Sequence, residues 1–344
     1  MQKLLTIVVP VYKVEQYINK CLDSCIIYKT DEHGQDVVYD DMMDQLEVII
    51  VNDGTPDNSA ELSREYTKRY PNTFRQIDKA NGGHGSAWNV GLKEATGKYL
   101  RFLDSDDWLS NLDKLMEELS RTDADLVFTT YNKFYVQEDR YEPQVLSLPT
   151  KTVSPLDKNT FADQKIWIFT MNFWHTTYKT SILQPQWPLF EEKVMYDDTI
   201  LVVAPLLYAK TYISYDFVLY NYLIGRVGQS MDPSIIAKNL DSHFKCYRRR
   251  VEWQENAVKQ GLRQDFVELV ASARHAYARR IFSLLPNLPY RSAKREMETF
   301  YKEGNLKQEP SKTPLEKRYD RFPFLIFYTT EYFRRNILLR FKSK

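Results

Sequence analysis

Two aspartates that flank a serine are the side chains in this sequence with the clearest capacity for chemistry. Asp104-Ser105-Asp106 follows the predicted strand Lys98–Leu103, and residues two apart at the end of a strand project to the same side. Their carboxylates could share one hard cation, Mn²⁺ or Mg²⁺, which binds oxygen ligands together with substrate phosphates. The alternative is an acidic loop that caps a helix after Trp108, and the triplet alone does not decide between the two.

A glycine-rich segment, Lys79–Leu92, could bind an anion. Its glycines stand before a predicted helix, where free backbone N–H groups and the positive helix end favour negative charge. A glycine cluster alone is weak evidence of a ligand site, so its meaning depends on the elements around it.

The elements that must position these segments alternate between strand and helix. Leu4–Val9 and Leu46–Val51 are continuous aliphatic runs, typical of strands buried on both faces of a parallel sheet. The alternation indicates repeated βαβ units and an α/β fold, with a mostly parallel sheet flanked by helices. The predicted helices are Glu15–Ile27, Ser59–Tyr70, Ser86–Ala95 and Leu112–Arg121, and the further strands are Arg75–Asp78, Lys98–Leu103 and Ala124–Thr130.

Loops at the carboxyl ends of parallel strands lie along one edge of a sheet, where ligands bind. We therefore expect Pro10–Lys13, Asn52–Asp57 and Asp104–Asp107 to converge on one crevice. The polar stretch Tyr28–Asp44 exceeds the usual length of a connection and is interpreted as a surface insertion. Asn58 followed by Glu61 is interpreted as a capping box that opens the second helix.

Helical periodicity dominates after Pro233, where we place a domain boundary. The prediction is an α/β domain over residues 1–232 and a basic helical region over residues 233–344. Before the boundary, Tyr141–Asp157 contains proline and resembles a loop. The candidate helices of the second region are Ser234–Lys259, Arg263–Leu285, Ser292–Tyr301 and Phe324–Phe341.

Charge is distributed unevenly along the chain. Residues 1–130 carry 14 Lys and Arg against 23 Asp and Glu, and the remainder carries 33 against 23. Concentrated carboxylates suit cation binding, whereas a basic half could meet anionic lipid or nucleic acid. Nucleic acid is the least favoured partner, because the basic residues are interspersed on helices without a recognition motif.

The sequence favours a cytoplasmic location. Three cysteines are too few for a disulfide framework, and the N-terminal segment lacks the layout of a signal peptide. The aromatic and aliphatic region Phe322–Phe341 is interrupted by charged residues, so no membrane span is expected. Residues 324–344 instead predict a basic amphipathic helix, which could lie on an anionic membrane surface or pack on its own domain.

Four segments in order resemble the family 2 glycosyltransferases. They are Val9–Lys13, Ile50–Ser59, Lys79–Leu92 and Phe102–Asp107. The resemblance covers residues 4–230 approximately, and it implies the α/β fold called GT-A, with a Rossmann-like sheet. It also implies a nucleotide sugar over the first strands, a divalent metal at the acidic triplet, and transfer with inversion at the anomeric carbon. Uridine is the commonest base in the family.

The resemblance assigns roles to individual residues around the nucleotide. Asp53 would accept a hydrogen bond from the base, Asp104 would sit near the ribose, and Asp106 would bind the metal with Asp104. Without the resemblance, Asp53-Gly54 is simply a tight turn, and the Pro10–Tyr12 segment is a strand end. The other residues implied in nucleotide binding are Pro10, Val11, Tyr12, Glu15, Lys79, Asn81, Gly82, Asn89 and Ser105.

A second acidic element, Asp197-Asp198, resembles the family segment that supplies the catalytic base. Asp198 aligns with the base, which would accept the proton of an acceptor hydroxyl, and Asp197 fits a helix cap at least as well. His175 lies among aromatic residues, where a histidine is more often a packing residue than a ligand contact. The residues implied near the diphosphate or the acceptor are Asp197, Arg226, Ser230, Trp174 and His175.

Three positions depart from the family pattern. Asn52 stands where an acidic residue is general, Trp88 where an arginine is usual, and Thr176 where a lysine is frequent. These departures put a basic contact from the glycine-rich loop in doubt. They also indicate a specialised donor pocket.

The sequence therefore predicts a metal-dependent glycosyltransferase that uses a nucleotide sugar, with a UDP-sugar favoured. The acceptor would be a glycan, or a lipid-linked or protein-linked precursor, in the synthesis of surface polysaccharide or glycoconjugate. Two alternatives stay open. One is a non-catalytic scaffold protein of the same fold that binds nucleotide, and the other is a nucleotidyltransferase, whose usual N-terminal glycine-rich loop is missing after Leu4–Val9.

Overall fold

The computed structural model divides the chain into two compact units, Met1–Val227 and Gly228–Lys344. Sequence analysis placed the boundary five residues further on. The residues described are 3–146, 148, 151–157, 172–226, 229–230, 235, 239–303 with gaps at 263, 265–266, 272–273, 275–276, 278–280, 282–283 and 286–287, and 328–329.

The first unit contains a mixed sheet, and helices connect many of its strands in sequence. The helices are α1 (Ile18–Asp23), α2 (Asp40–Met43), α3 (Ser59–Arg69), α4 (His84–Glu94), α5 (Leu112–Arg121) and α6 (Thr180–Leu183). The strands are β1 (Leu5–Val11), β2 (Tyr28–Thr30), β3 (Asp36–Val38), β4 (Leu46–Asn52), β5 (Phe74–Asp78), β6 (Tyr99–Phe102), β7 (Trp108–Leu109), β8 (Leu126–Tyr135), β9 (Arg140–Gln144), β10 (Ser154–Pro155), β11 (Thr176–Lys179) and β12 (Thr211–Ile224). The predicted α/β class is confirmed.

The strand order of the main sheet is β10-β12-β8-β11-β6-β1-β4-β5, with β7 paired to β12 and β9 paired to β8. Strands β6, β1, β4 and β5 run parallel to one another. Every residue of β1 and of β4 is buried, because their aliphatic side chains are covered on both faces, as the continuous apolar runs predicted.

Three loops lie at the carboxyl edge of these parallel strands, as expected. The backbone N–H of Asp53 donates to the Val11 carbonyl at 3.0 Å, and that of Leu103 donates to the Val8 carbonyl at 3.0 Å. The loops after β1, β4 and β6 are therefore neighbours.

The other half of the sheet brings a distant part of the chain to the same edge. Strand β11 lies antiparallel between β6 and β8, and β12 runs parallel to β8 with Ile224 opposite Tyr135. Residues just beyond Ile224 therefore emerge beside the end of β8.

Several local predictions differ from the structure. Asn58 makes no capping hydrogen bond, because the Asp57 carboxylate instead accepts from the Ser59 N–H at 3.2 Å, and Glu61 pairs with Arg64. The predicted insertion at 28–44 is a hairpin, β2–β3, followed by α2.

The first predicted helix and the predicted loop at 141–157 also differ. Helix α1 covers only Ile18–Asp23, whereas the predicted helix began at Glu15. The backbone N–H of Glu15 donates instead to the Asp57 carboxylate at 3.2 Å. The segment predicted as loop contains β9 and β10, which extend the sheet through pairing with β8 and β12.

The second unit contains two long described helices, α7 (Leu240–Lys259) and α8 (Tyr290–Glu303). They correspond to two of the predicted helices with shifted ends. The predicted helix at 324–341 lies outside the described residues, except for 328 and 329. Among the described helices, none combines the length and apolar character that crossing a bilayer requires.

Candidate functional site

Three carboxylates, those of Asp104, Asp106 and Asp107, lie together where β6 ends, with ligand oxygens within 4.8 Å of one another. Such a cluster of like charges needs compensation. The imidazole Nε2 of His84 is 2.7 Å from Asp104 Oδ1, and the Arg226 guanidinium forms an ion pair with Asp106 Oδ2. These contacts come from two segments of the chain far apart in sequence.

Asp107 is held differently, by hydrogen bonds to strand β12. Its Oδ2 accepts from the Tyr220 hydroxyl at 2.5 Å and its Oδ1 accepts from the Leu223 N–H at 2.8 Å. Asp107 is buried and strand β7 follows it, so no helix begins at this residue. The acidic loop therefore does not cap a helix at Trp108, since α5 begins only at Leu112.

Crowding and burial shift the pKa values of the cluster. Burial raises the pKa of Asp107 well above its ordinary value, and the charge of Asp106 adds to the rise. Burial also raises the pKa of Asp106, with a further rise from Asp104, while Arg226 opposes the change. A cation placed among these groups would relieve the repulsion between them.

Asp53 does not face solvent as the predicted contact with a base requires. It is buried, and its Oδ1 accepts from the Lys79 ammonium at 2.7 Å and the Gly82 N–H at 2.8 Å. Its Oδ2 accepts from the Gly83 N–H at 2.8 Å and the Asn81 amide at 3.1 Å. These donors fill the acceptor capacity of a carboxylate, so Asp53 shapes the glycine-rich loop, and Lys79, Asn81 and Gly82 act first as its partners.

Asn89, which was also predicted to contact the nucleotide, makes hydrogen bonds within the protein. It is buried on α4, where its amide donates to the Phe190 carbonyl at 2.6 Å. Its Oδ1 accepts from the backbone N–H groups of Leu189 at 2.9 Å and Phe190 at 3.0 Å. Asn89 therefore anchors the segment that precedes the second acidic element.

That segment packs on the start of α4. The Lys193 N–H donates to the Gly82 carbonyl at 2.7 Å, and the Ser86 hydroxyl donates to Glu192 at 3.1 Å. A Cβ added at Gly85 would lie 2.8 Å from the Phe190 Cβ, so only glycine allows this close approach. The glycine-rich loop and the segment before Asp197 form one packed unit.

The two acids of the second element have different environments. Asp197 is buried and its Oδ2 accepts a hydrogen bond from the Glu191 N–H. Asp198 is half-buried in the first turn of the 3-10 helix Asp197–Val202. Burial alone would lower the pKa of His84, but the Asp104 carboxylate, with a smaller contribution from Asp198, raises it. Asp198 is thus near enough to His84 for its charge to act on the imidazole that contacts Asp104.

The residues predicted to read the base lie at the end of β1. Pro10 and Val11 are buried, and Tyr12 is exposed. Glu15 was also predicted to contact the nucleotide, and its carboxylate accepts a hydrogen bond from the Asn58 N–H at 3.2 Å. Tyr12 is therefore the side chain of this segment that is open to a ligand.

His175 is a packing residue in this structure. It is 3% exposed, and its Nδ1 donates to the Thr129 carbonyl at 2.6 Å. Burial lowers the pKa of its imidazole to about 4. The neighbouring Trp174 stacks on Tyr222, with ring centroids 4.5 Å apart. The prediction that His175 contacts a donor or acceptor is therefore not supported, whereas Trp174 stays a candidate.

Two departures from the family pattern have physical explanations. The Asn52 amide donates to Asp78 Oδ1 at 2.9 Å, and an acidic residue at position 52 would repel that carboxylate. Trp88 is fully buried and stacks on Phe102 with centroids 4.4 Å apart. Thr176, the third departure, is also buried, in β11. Of the two serines predicted at the site, Ser105 is buried and Ser230 is exposed.

Sequence reasoning missed His84 and Tyr220 as parts of the site. His84 was visible as a titratable residue inside the glycine-rich loop, so its presence was a usable signal. Tyr220 was visible six residues before the predicted Arg226, but no local pattern could identify its partner Asp107, which is 113 residues away.

Comparison with known proteins gives this geometry a context. Residues 6–181 match the model of glycosyl transferase family 2. The uncharacterized glycosyltransferase EpsJ of Bacillus subtilis is 32% identical over 204 residues, which are 57% of this chain and 54% of that protein. The teichoic acid poly(glycerol phosphate) polymerase of Staphylococcus epidermidis is 28% identical over 255 residues, 71% of this chain and 31% of that protein. The matched chain thus spans about half of these relatives or less.

Among solved structures, S. aureus TarS 1–349 in complex with UDP-GlcNAc aligns with a TM-score of 0.55 at 18% identity, covering 87% of this chain and 89% of that one. The shared architecture confirms the GT-A type of α/β fold that the motifs implied. Because the family model matches just over half of the sequence, from β1 through β11, the chain belongs to glycosyl transferase family 2.

Proposed function

We propose that this protein is an inverting glycosyltransferase that moves a sugar from a nucleotide sugar, specifically a UDP-sugar, to an acceptor hydroxyl. One observation carries the proposal. The acidic loop of Asp104 and Asp106 lies beside the loops after β1 and β4, with Arg226 in contact and Asp198 nearby. The Arg226 guanidinium and the Asp198 carboxylate thus lie near the acidic loop, at the edge of the sheet where ligands of α/β folds bind.

The donor set fits a divalent metal, Mn²⁺ or Mg²⁺. Asp104 and Asp106 offer carboxylate oxygens, the ligands that both ions prefer, and their contacts with His84 and Arg226 involve one oxygen of each. Asp107 is not assigned as a ligand, because both of its oxygens accept hydrogen bonds. A bound metal would supply positive charge to the diphosphate of the donor.

The nucleotide would lie across the end of β1, with Pro10 and Val11 beneath it and the exposed Tyr12 beside the base. The Asp104 carboxylate would face the ribose. Asp53 supports this pocket through the backbone of Gly82 and Gly83, which keeps the glycine-rich loop in place without contact with the base.

Asp198 is the proposed catalytic base. Asp197 already accepts a backbone hydrogen bond and is buried, so its neighbour is the better placed proton acceptor. As the acceptor oxygen attacks the anomeric carbon, Asp198 would take its proton, and the bond to the nucleoside diphosphate would break. A positioned base of this kind accelerates a reaction by about 10²–10⁴.

Arg226 would stabilise the departing nucleoside diphosphate. Its guanidinium is one-quarter exposed and pairs with Asp106, so it borders the place where phosphate charge would develop. A fixed cation that meets developing charge in a site shielded from water lowers the barrier to reaction. Trp174 is the further residue of the first unit that we propose near the diphosphate and acceptor, and the role of Ser230, which lies in the second unit, stays a prediction.

The acceptor is proposed to be a surface glycan or its lipid-linked or protein-linked precursor. The similarity to a protein named as a teichoic acid polymerase supports this class. We place the reaction in the cytoplasm, and contact of residues 324–344 with an anionic membrane surface stays a prediction.

A release assay tests the proposal against its two alternatives. The full chain is incubated with Mn²⁺ and a panel of nucleotide sugars, and released nucleoside diphosphate and pyrophosphate are measured. We expect diphosphate release that falls in both Asp106→Ala and Asp198→Ala. Pyrophosphate would indicate a nucleotidyltransferase, and unchanged release in both variants would overturn the assignment. Nucleotide binding without any turnover would favour the scaffold protein.

A further inference from the structure

His84 is the first residue of α4. It contacts both the Asp104 carboxylate and the Trp88 ring, and the proposed function uses neither contact. Its Nε2 lies 2.7 Å from Asp104 Oδ1, with the imidazole 42% exposed and the carboxylate 25% exposed. Hydrogen bonds to a charged group contribute more than those between neutral groups. The contact is therefore strong enough to decide where the Asp104 carboxylate points.

The imidazole is itself held in place by an aromatic cluster. Its ring centroid is 4.2 Å from that of Trp88, one helical turn later. Trp88 is wedged between Phe102 at 4.4 Å, Phe173 at 5.0 Å and Phe190 at 5.2 Å. The fully buried Trp88 thus contacts one side of the His84 imidazole and restricts its rotation on that side, while the ring remains 42% exposed.

The backbone of Asp104 is fixed as well. Its N–H donates to the Tyr220 hydroxyl at 3.2 Å, so the remaining freedom of the residue lies in its side chain. Each carboxylate of the cluster then has a partner from outside the loop. These partners are His84 for Asp104, Arg226 for Asp106, and Tyr220 with Leu223 for Asp107.

We propose that His84 is a positioning residue for donor binding, which orients Asp104 through its Nε2–H while Trp88 orients His84. The Trp88 side chain is buried and carries no charge toward the carboxylates, so its contribution is to the packing of the imidazole. The inference rests on the proposed function, in which Asp104 faces the donor.

Two substitutions separate the polar role of His84 from its packing role. In His84→Gln, the amide nitrogen can replace Nε2 as donor, but the ring contact with Trp88 is lost. In His84→Phe, the ring contact is kept and the hydrogen bond is lost. His33→Gln is the control, since that side chain is 74% exposed in the β2–β3 hairpin.

The experiment measures the Kd of UDP in the presence of Mn²⁺ for the full chain by calorimetry, with the thermal unfolding midpoint of each variant. We expect His84→Phe to weaken UDP binding about tenfold with little change in the midpoint. We expect His84→Gln to weaken it less, by about threefold, because a donor to Asp104 is kept while the ring contact with Trp88 that orients it is lost. Binding that survives in His84→Phe but not in His84→Gln would overturn the positioning role, as would wild-type binding in both. If the wild type itself binds no UDP, the proposed function fails first and the inference with it.

Discussion

The Tyr220 hydroxyl donates a 2.5 Å hydrogen bond to the Asp107 carboxylate. This contact joins strand β12 to the acidic loop after β6, and the Leu223 N–H donates to the other oxygen of Asp107 at 2.8 Å. Arg226 follows three residues later and reaches Asp106. The position of the proposed diphosphate-binding arginine therefore depends on the strand that Asp107 anchors.

Tyr220→Phe should destabilise the fold and disturb the site together. The substitution leaves the buried Asp107 without its hydroxyl donor, which costs about 1–3 kcal/mol of unfolding free energy. Urea unfolding measures the loss, and Tyr208→Phe, at an exposed tyrosine, is the control. Because the two residues share one contact, the costs of Tyr220→Phe and Asp107→Asn should not add. Additive costs would mean that the contact does not couple them.

Arg226→Gln should lower kcat for release of nucleoside diphosphate by about 10²–10³, since a charge that meets the leaving group is lost. Arg226→Lys should recover part of this rate, because the positive charge is kept. Arg140→Gln breaks an ion pair at the surface and serves as the matched control. A kcat that is unchanged in Arg226→Gln would remove this residue from the mechanism.

Asn89→Ala should destabilise the first unit by about 2–4 kcal/mol, because the buried N–H groups of Leu189 and Phe190 lose their acceptor. The measurement is urea unfolding, compared with Asn72→Ala at an exposed asparagine. If Asn89 instead contacts the nucleotide, stability should change little while UDP binding is lost.

Acid should weaken the fold partly through His175. Its pKa is lowered from 6.5 to about 4 by burial, so the unfolded chain binds a proton that the folded chain does not. Stability from this residue is complete above about pH 6.5 and is lost as the pH falls toward about 4, by an amount on the order of 3 kcal/mol. His175→Gln should flatten the dependence of unfolding free energy on pH over this range, whereas His33→Gln should not. An equal slope in both variants would contradict the assignment.

The sequence predicted those features that depend on short segments. The buried strands β1 and β4 followed from continuous apolar runs, and the bounds of α5 followed from its amphipathic pattern and match the prediction. The convergence of three loops followed from the topology of parallel sheets.

The partners of the site residues could not be predicted in the same way. Asp53, Asn89 and Asp107 each satisfy their polar atoms with groups between 26 and 116 residues away. A local pattern identifies a polar residue near a strand end, but it does not say whether a ligand or a remote backbone group will use it. All three make structural contacts in this fold, and the predicted ligand contacts of Asp53 and Asn89 stay predictions.

Calorimetric binding of UDP with and without Mn²⁺ tests most directly whether the Asp104–Asp106 loop holds a cation against the donor diphosphate. We predict that Mn²⁺ tightens UDP binding by about tenfold or more in the wild type, a coupling of the usual size between two ligands. The gain should vanish in Asp106→Asn and persist in Asp44→Asn, at an exposed aspartate. Equal UDP binding without metal in the wild type, or a metal-dependent gain that survives in Asp106→Asn, would contradict the account.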